Sequence, residues 1–339
     1  MKKLIAICAV LVFLGMNYAR ADWTTFDMPA ASGTYPSGIS DNNIVGYYLD
    51  GSSIAHGFFY NGTTWTNFNM PGADYTEPHG ISGNNIVGVY FDSSTHSLIH
   101  RHGFLYDGTN WTTLSNIVET YPFPEGVSGN NIVGYDRSGG FLYNGTNRTV
   151  LSMPGASVTT PFGIDGSIIV GNYEDSSGYF HGFLYDGTTF TNLDMPGSPN
   201  TMAYGISENH IVGDYWYSSG NSQGCLYYRT NWTALNMPGS SGIYVRGISG
   251  NKIVGYYADS SYRYHGFVYT ISVLRLSINH SSGIINVSFD GAAGTIYNIE
   301  ASTDLVHWST IATNTLDSSG KSTYSESMPG PMRYYKASD

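Results

Sequence analysis

Short alternations of apolar and polar residues run through most of the chain, and turn-forming residues separate them. The unit at residues 80–122 shows the order clearly: G-I-S, then N-N-I-V-G, then H-G-F-L-Y-D-G-T, then W-T-T-L. β-Branched and aromatic residues with this alternation, bounded by Gly, Asn, Asp and Pro, are typical of short strands. The pattern therefore predicts an all-β fold.

Close copies of this unit recur along the chain. They start at Gly38, Gly80, Gly126, Gly163, Gly205 and Gly247. Spacings of 37 to 46 residues are those of a four-stranded propeller blade. Each repeat predicts strand a around G-I-S, strand b over I-V-G-x-Y, strand c over G-F-L-Y and strand d over W-T-x-L-x-M. Asn, Asp and Gly form the a–b and c–d turns because they accept positive φ, and Pro of M-P-G ends strand d.

The two ends of the repeat region predict that it closes on itself. Residues 23–28 have the pattern of a strand d with no a, b or c before it, and the sixth repeat ends after its strand c. An N-terminal strand that completes the last blade would leave no exposed edge. We therefore expect a six-bladed β-propeller over residues 22–270, closed by its N-terminal strand; an open solenoid is the alternative. Residues 271–339 alternate without the repeat, which predicts a small C-terminal β-sandwich.

The first residues predict an address outside the cytoplasm. Lys2 and Lys3 precede an apolar run at residues 4–14, and residues 19–21 fit the small-x-small cleavage rule. We expect residues 1–21 to be a signal peptide and the mature chain to be secreted, extracellular or on the cell surface; an uncleaved anchor is the alternative. The run is shorter than the ~20 residues that span a bilayer, and we expect no transmembrane segment after its removal.

Charge and cysteine content narrow the range of partners. Loss of the signal removes three cations and no acid, so the net charge changes from −11 to −14. Nucleic-acid binding needs cations that neutralise phosphates, so we expect no nucleic-acid partner. Cys225 is the one cysteine left in the mature chain, at a position where other repeats have Phe. We expect it to be a small buried apolar residue and not a nucleophile.

The H-G-F-L-Y-D-G and G-I-S-x-N-x-I-V-G segments resemble the repeats of HAF-repeat extracellular proteins of bacteria. The resemblance covers roughly residues 22–269, with Gly57, Gly103, Gly182 and Gly266 where the family name implies Ala. The tail, with Y-N-I-E-A-S-T-D-L and R-Y-Y, resembles the fibronectin-III-like C-terminal modules of secreted bacterial proteins. These resemblances imply secretion and a propeller-like repeat, and they imply no established activity.

Residues that recur at the same position in most copies are interpreted as scaffold. One blade position carries His56, His102, His181 and His265, and the b–c connection carries Asp50, Asp92, Asp175 and Asp259. We expect the histidines to make structural hydrogen bonds. A short acidic side chain before Ser or Gly can cap a turn, and the spaced acids of a calcium loop are missing.

Residues that differ between copies are the candidates for function. In a blade the a–b and c–d turns emerge on one face and are constant here, whereas the b–c and d–a connections emerge on the other face and vary. The residue before G-I-S is different in each repeat: Ser37, His79, Glu125, Phe162, Tyr204 and Arg246. Glu77 lies two residues before His79. The predicted ligand-binding residues, around the channel mouth, are Glu77, His79, Glu125, Phe162, Tyr204 and Arg246. The alternative is neutral variation at a solvated position.

Other chemistry has weaker support in the sequence. His96, His100 and His102 lie within seven residues and could bind a transition metal, although His102 belongs to the scaffold series. The sequence has no G-x-S-x-G, no H-E-x-x-H and no phosphate loop, and we predict no cofactor. Glu77 or Glu125 could act as a general acid with His79 in a glycosidase or lyase.

Three functions remain open on this basis. The first, which the missing motifs favour, is a secreted non-catalytic protein that presents a glycan- or protein-binding face on the propeller. The second is a carbohydrate-active hydrolase or lyase, which requires the carboxylates and Arg246 to converge in one pocket. The third is a purely structural envelope component, which a flat or covered face would favour.

Overall fold

A computed structural model describes residues 22–92, 101–114, 122–217, 220–228, 230–271, 275–281, 283–290, 296–317, 321–327 and 333–338. Contacts divide the chain into two compact units, of which one is Trp23–Tyr269 and the other includes the residues from Thr270 onward. The described residues form strands and turns and contain no helix able to cross a membrane.

The repeat region consists of short strands joined by turns. In chain order its strands are β1 (Asp22–Phe26), β2 (Gly33–Ser40), β3 (Asn43–Leu49), β4 (Ala55–Tyr60), β5 (Trp65–Asn67), β6 (Ala73–Ser82), β7 (Asn85–Asp92), β8 (Arg101–Tyr106), β9 (Trp111–Thr113), β10 (Phe123–Ser128), β11 (Asn131–Asp136), β12 (Gly139–Tyr143), β13 (Arg148–Leu151), β14 (Val158–Asp165), β15 (Ile168–Glu174), β16 (Phe180–Tyr185), β17 (Phe190–Leu193), β18 (Asn200–Ser207), β19 (His210–Trp216), β20 (Gln223–Tyr228), β21 (Asn231–Leu235), β22 (Gly242–Ser249), β23 (Lys252–Ala258) and β24 (Tyr264–Thr270).

These strands form six four-stranded sheets of the kind that make propeller blades. Five sheets follow chain order: β2-β3-β4-β5, β6-β7-β8-β9, β10-β11-β12-β13, β14-β15-β16-β17 and β18-β19-β20-β21. The sixth has the order β1-β24-β23-β22, so β1 takes the outer position for which the last repeat has no strand of its own. We call β2, β6, β10, β14, β18 and β22 the inner strands. Each inner strand contacts the next one, and β22 contacts β2.

Apolar side chains fill the space between neighbouring sheets. Val45 of the first sheet packs with Ile81, Ile86 and Phe104 of the second, and the same arrangement recurs between the following sheets. Phe104 is fully buried, which stabilises the fold by about 1.5–3 kcal/mol for a side chain of this size. Cys225 takes the equivalent place in the fifth sheet and is buried. The prediction that it is a buried apolar residue is confirmed.

Each inner strand carries a β-bulge at the residue that precedes G-I-S. In β2, Pro36 pairs with Gly46 and Gly38 with Val45, so that Ser37 is an extra residue without a partner in the ladder. The same shift occurs in the other five inner strands, at the positions of His79, Glu125, Phe162, Tyr204 and Arg246. A bulge bends the strand and changes the direction of a side chain. The six variable residues are therefore the six bulged residues.

The glycine after each bulge lies against the backbone of the next sheet. A Cβ on Gly126 would be 2.5 Å from the Phe162 carbonyl oxygen, and one on Gly80 would be 2.7 Å from that of Glu125. The last and first inner strands approach in the same way, since a Cβ on Gly247 would lie 3.3 Å from the Cα of Gly38. Only a residue without a side chain permits this approach of neighbouring inner strands.

The inner strands are longer than the sequence predicts. Strand a was expected around G-I-S alone, whereas β6 extends over ten residues, Ala73–Ser82. Pro78 lies inside β6, where sequence rules place the end of a strand. It is tolerated because β6 is hydrogen-bonded to β7 on one side only, so its other edge needs no backbone donor.

The C-terminal unit has two three-stranded sheets with a common core. Its strands are β25 (Arg275–Ser281), β26 (Ile284–Asp290), β27 (Ile296–Ser302), β28 (Ser309–Thr315), β29 (Lys321–Ser327) and β30 (Tyr334–Ser338). The sheet orders are β25-β26-β29 and β28-β27-β30. Val287 and Phe289 of the first sheet pack with Tyr297 and Ile299 of the second. The core of this unit is thus built between its two sheets.

We predict that Gly126→Ala lowers the free energy of unfolding by about 1–3 kcal/mol, the usual effect of a forced contact in a packed interior. The added methyl group would meet the Phe162 carbonyl of the next sheet. Urea denaturation of the variant measures the effect. Gly51→Ala is the matched control, since nothing lies within 4 Å of its added Cβ. Equal unfolding free energies for the two variants would contradict the role of the inner glycines.

Candidate functional site

The six bulged residues meet around the central opening of the repeat region. Together with the Gly and Ile of G-I-S or its variants they line a narrow channel of about 70 Å³. A wider cavity of about 300 Å³ is lined by the same six residues and by Glu77. The structure therefore brings together every residue that the sequence predicted for ligand binding: Glu77, His79, Glu125, Phe162, Tyr204 and Arg246. We call this cavity the channel-mouth site.

One histidine lies between two carboxylates in this site. His79 Nε2 is 3.8 Å from Glu77 Oε2, and His79 Nδ1 is 3.4 Å from Glu125 Oε2. The carbonyl oxygen of Pro124 is 3.1 Å from the same Nδ1 and holds the ring in place. All three side chains are at least four-fifths buried, with 15–18% of each exposed.

Burial and mutual charge separate the pKa values of these groups. Burial opposes protonation of His79, but Glu125 and Glu77 outweigh it and raise the pKa of His79 to about 9. Burial raises the pKa of Glu125 against the opposing charge of His79. For Glu77 burial acts in the same direction, but contacts with His79 and Tyr75 outweigh it and lower the pKa. Near neutral pH the site thus has one carboxyl group with an increased tendency to hold its proton and one ionised carboxylate.

Arg246 is a cation fixed by an acid from the neighbouring sheet. Its Nη1 donates to Asp214 Oδ2 and to the Val245 carbonyl oxygen, both at 2.8 Å. Its Nη2 donates to the Tyr256 hydroxyl at 3.1 Å, and the guanidinium carbon lies 4.1 Å from the centre of the Tyr204 ring. The hydrogen bonds and the ring contact restrict the guanidinium to one orientation.

Aromatic rings form most of the remaining wall. Phe162 and Tyr204 have ring centres 4.8 Å apart on one side. On the other side Tyr35 stacks on Tyr47 at 4.7 Å and meets Tyr256 edge-on at 5.1 Å. The cavity therefore combines aromatic faces with a small number of placed polar groups, which is the usual composition of a small-molecule site.

Sequence reasoning missed Tyr35, Tyr47 and Tyr256, and it missed Asp214. A signal for three of them was present, because the residue after I-V-G also differs between the repeats. It is Tyr47, Val89, Tyr135, Asn172, Asp214 and Tyr256 in turn. That position lies in the second strand of each sheet, where it pairs with the residue two before the bulged one, as Tyr47 does with Tyr35. A comparison of the repeats at this second position would have found these three residues.

Ser37 is the smallest of the six bulged residues and is engaged with the backbone. Its hydroxyl donates to the Pro78 carbonyl oxygen at 2.5 Å and lies 3.3 Å from that of Val45. Because its side chain is short and already bonded, it leaves open space in the ring where the other sheets place larger groups.

The repeated histidines are bonded as scaffold, away from the channel mouth. Nε2 of His56, His181 and His265 lies 3.3–3.4 Å from an Asp Oδ2 in its own repeat. Those acids cap turns as expected, since Asp50 Oδ1 accepts the backbone N–H groups of Ser52 and Ile54. The predicted structural hydrogen bond is confirmed for these three histidines.

The predicted metal cluster falls mostly beyond the described part of the chain. His96 and His100 lie outside the described residues. His102 lies 3.8 Å from Asp92 and stacks on Tyr90. Among the described residues no group of three or more His, Cys, Asp or Glu side chains is arranged to hold a metal ion.

Comparisons with known proteins give similarity in structure alone. No family model matches the chain, and no curated protein matches it in sequence. The β-propeller domain of the trilobed protease from Pyrococcus furiosus has 9% identity and a TM-score of 0.47, over 70% of this chain and 94% of that one. A sialidase from Trypanosoma rangeli has 8% identity and a TM-score of 0.44, over 79% of this chain and 72% of that one. The fucose-binding Aleuria aurantia lectin has 11% identity and a TM-score of 0.42, over 88% of this chain and 96% of that one. We draw no conclusion about function from similarities of this degree.

We predict that Glu125→Gln lowers the pKa of His79 from about 9 toward its ordinary value of 6.5, because Glu125 is the larger of the two carboxylate effects that raise it. NMR titration of the His79 ring measures the change. A raised pKa stabilises the fold fully below pH 6.5 and loses that contribution as the pH rises through about 9. Glu208→Gln, on an exposed a–b turn, is the control. An unchanged His79 titration in Glu125→Gln would contradict the assigned geometry.

Proposed function

We propose that this chain is a secreted, non-catalytic repeat protein that binds a ligand at the channel-mouth site. The observation that carries the proposal is the convergence of six different side chains, one from each repeat, on a single cavity. Their positions are equivalent in the fold, so a purely structural role would be met by one residue type repeated around the ring. A cavity at this position also counts against the purely structural envelope component, which a flat face would favour.

The scaffold that we propose is a six-bladed β-propeller closed by its N-terminal strand. Two observations support closure: β1 is the outer strand of the last sheet, and β22 contacts β2. With β1 in place the last sheet has four strands like the others, and β24 has no unpaired edge at which another chain could add a strand. A closed ring would also hold the six bulged residues at fixed distances from one another.

The extracellular location rests on the N-terminal pattern and on the resemblance to HAF-repeat proteins. Residues 1–21, which carry the signal-peptide pattern, lie outside the described residues. We further propose that the C-terminal unit is a fibronectin-III-like β-sandwich that acts as a spacer or attachment module. Its two three-stranded sheets with one core support this assignment.

The composition of the site favours a carbohydrate ligand over other small molecules. Sugar rings present C–H faces that pack on aromatic side chains, and hydroxyl edges that hydrogen-bond with charged groups. The channel mouth offers both, with Tyr204 and Tyr256 as ring surfaces and Glu77, His79 and Arg246 as polar partners. A protein ligand that presents a polar loop is the other class that the first function includes.

A second candidate function has one observation in its favour. Glu77 and Glu125 converge beside His79 with pKa values shifted in opposite directions, and Arg246 lines the same cavity. Two carboxyl groups separated in this way are the arrangement that supplies a general acid and a base or nucleophile in glycoside cleavage. The alternative is therefore a carbohydrate-active hydrolase or lyase, with Glu125 as the acid.

We predict that the mature chain binds at least one class of glycan on an array and that Tyr204→Ala weakens this binding about tenfold or more, the loss expected for one buried aromatic contact. Tyr262→Ala is the control, because Tyr262 is an exposed tyrosine in a turn with 74% of its surface accessible. Isothermal titration with the best array glycan measures both variants.

Two further outcomes of the same experiment decide between the functions. Absence of glycan binding, with no protein captured in a pull-down, would contradict the proposal; so would equal binding by Tyr204→Ala and the control. Bound glycans are also assayed for released reducing ends and unsaturated products. Turnover by the wild type that Glu125→Gln abolishes would establish the hydrolase or lyase in place of the non-catalytic protein.

A further inference from the structure

A second and larger cavity lies on the same diversified side of the repeat region. Its volume is about 570 Å³, and its walls come from the first and second sheets. From the first sheet and its connections come Asp50, His56 and Asn69; from the second come Asp74, Tyr75 and Arg101. We call it the inter-sheet cleft. No part of the function proposed above uses it.

Strand β6 connects the inter-sheet cleft to the channel-mouth site. Tyr75 lines the cleft, and Glu77 and His79 line the channel mouth. These three side chains are partly exposed, whereas Thr76 and Pro78 between them are buried. Alternate residues of a strand share a face, so one accessible face of β6 leads from one cavity to the other. At ~3.3 Å per residue the distance from Tyr75 to His79 is about 13 Å.

The side chains along this face have the same chemistry as the channel mouth. Tyr75 meets Phe91 edge-on at 5.1 Å, and the Arg101 guanidinium lies 5.0 Å from the centre of the Phe91 ring. Burial, the nearby Glu77 carboxylate and a hydrogen bond to it raise the pKa of Tyr75, so its hydroxyl stays protonated. Asp74 is exposed beside it. Aromatic surface and hydrogen-bonding groups therefore alternate from the cleft to the mouth.

The path presents the side chains of β6 and not the strand edge that lacks a ladder partner. On one side β6 is paired with β7, and it also packs against the inner strands β2 and β10. A peptide recognised by strand addition would need an open edge. A sugar chain is recognised through its ring faces and hydroxyl groups, and these are what the path can contact.

We infer that the ligand is an oligosaccharide chain that lies along β6, with one end in the channel-mouth site and the other in the inter-sheet cleft. This inference rests on the proposed function and extends it from a small ligand to a polymer. Tyr75 is the residue that joins the two cavities. The channel-mouth site binds the first unit, and the cleft adds affinity that increases with chain length.

The experiment measures affinity as a function of chain length with defined probes. Linear oligosaccharides of the glucan, chitin and xylan series, from monosaccharides to hexasaccharides, are titrated against the mature chain by calorimetry. For the series that binds, we expect the longer chains to bind about tenfold more tightly than the disaccharide, the contribution of one added aromatic contact. Tyr75→Ala is expected to remove that gain, whereas the disaccharide still binds.

A second cleft variant and a control variant separate loss of the cleft contact from loss of folding. Asp74→Ala changes an exposed cleft residue, and we expect it to reduce the gain with chain length in part. Tyr179→Ala changes a tyrosine with 45% of its surface exposed, in a turn that lines neither cavity, and we expect it to behave as wild type. Circular dichroism melting of each variant verifies that its fold is intact.

Each other outcome overturns the inference in a distinguishable way. Binding without dependence on chain length, or a gain that survives Tyr75→Ala, would refute the extended site and leave the channel-mouth proposal standing. Binding of extended peptides from a random library, lost in Tyr75→Ala, would show that the polymer is a peptide and not a sugar. Failure of every glycan to bind the wild type would overturn the inference; it would overturn the channel-mouth proposal as well only if the pull-down also captured no protein.

Discussion

The close approach of one inner strand to the next, through glycine, is the contact on which the rest of this structure depends. Gly126 and its equivalents place the backbone of one sheet against the backbone of the following sheet, where no side chain would fit. The bulge directly before each glycine supplies the extra residue that the ladder does not use. The bulge and the glycine after it therefore have two effects. They let the sheets pack around a narrow opening, and they direct one side chain from each repeat toward that opening.

The bulge also explains why some positions are the same in most repeats and others differ. Most positions in the core between sheets are constrained, and the repeats largely agree there, as at the buried Phe104, whose equivalent in the fifth sheet is Cys225. The bulged residue has no ladder partner, so the fold places little restriction on its identity. This explains how a chain of near-identical repeats can carry six different side chains around one cavity without loss of the common architecture.

Much of the fold was predictable from the sequence, because the period of the strands and the turn residues determine local structure directly. The N-terminal strand without a sheet of its own, and the absence of a fourth strand after Tyr269, also predicted that the N-terminal strand joins the last sheet. The bulges were not predictable in this way, since Pro78 inside β6 contradicts the simple rule for strands. The six variable positions were found by comparing repeats, and variation at the position after I-V-G was a signal for Asp214 as well. The contact of Asp214 with Arg246 of the next sheet was not predictable, because the pattern of a single repeat carries no information on such long-range pairs.

Among the ligands proposed, the charges of the site favour a polar, uncharged one. Arg246 is neutralised by Asp214, and His79 is shared between two carboxylates, so no single unbalanced charge dominates the cavity. Aromatic rings fill the gaps between these groups. A ligand with many hydroxyl groups can replace the water that these charges hold, without a charge of its own to be desolvated.

A crystal structure of the mature chain, soaked with the glycan that binds most tightly on an array, tests the central claim most directly. We expect the sugar at the channel mouth, in contact with Tyr204 and with Glu77 or His79, and the repeated His181 and His265 free of ligand. A sugar bound to the constant a–b and c–d turns, with an empty channel mouth, would contradict the account.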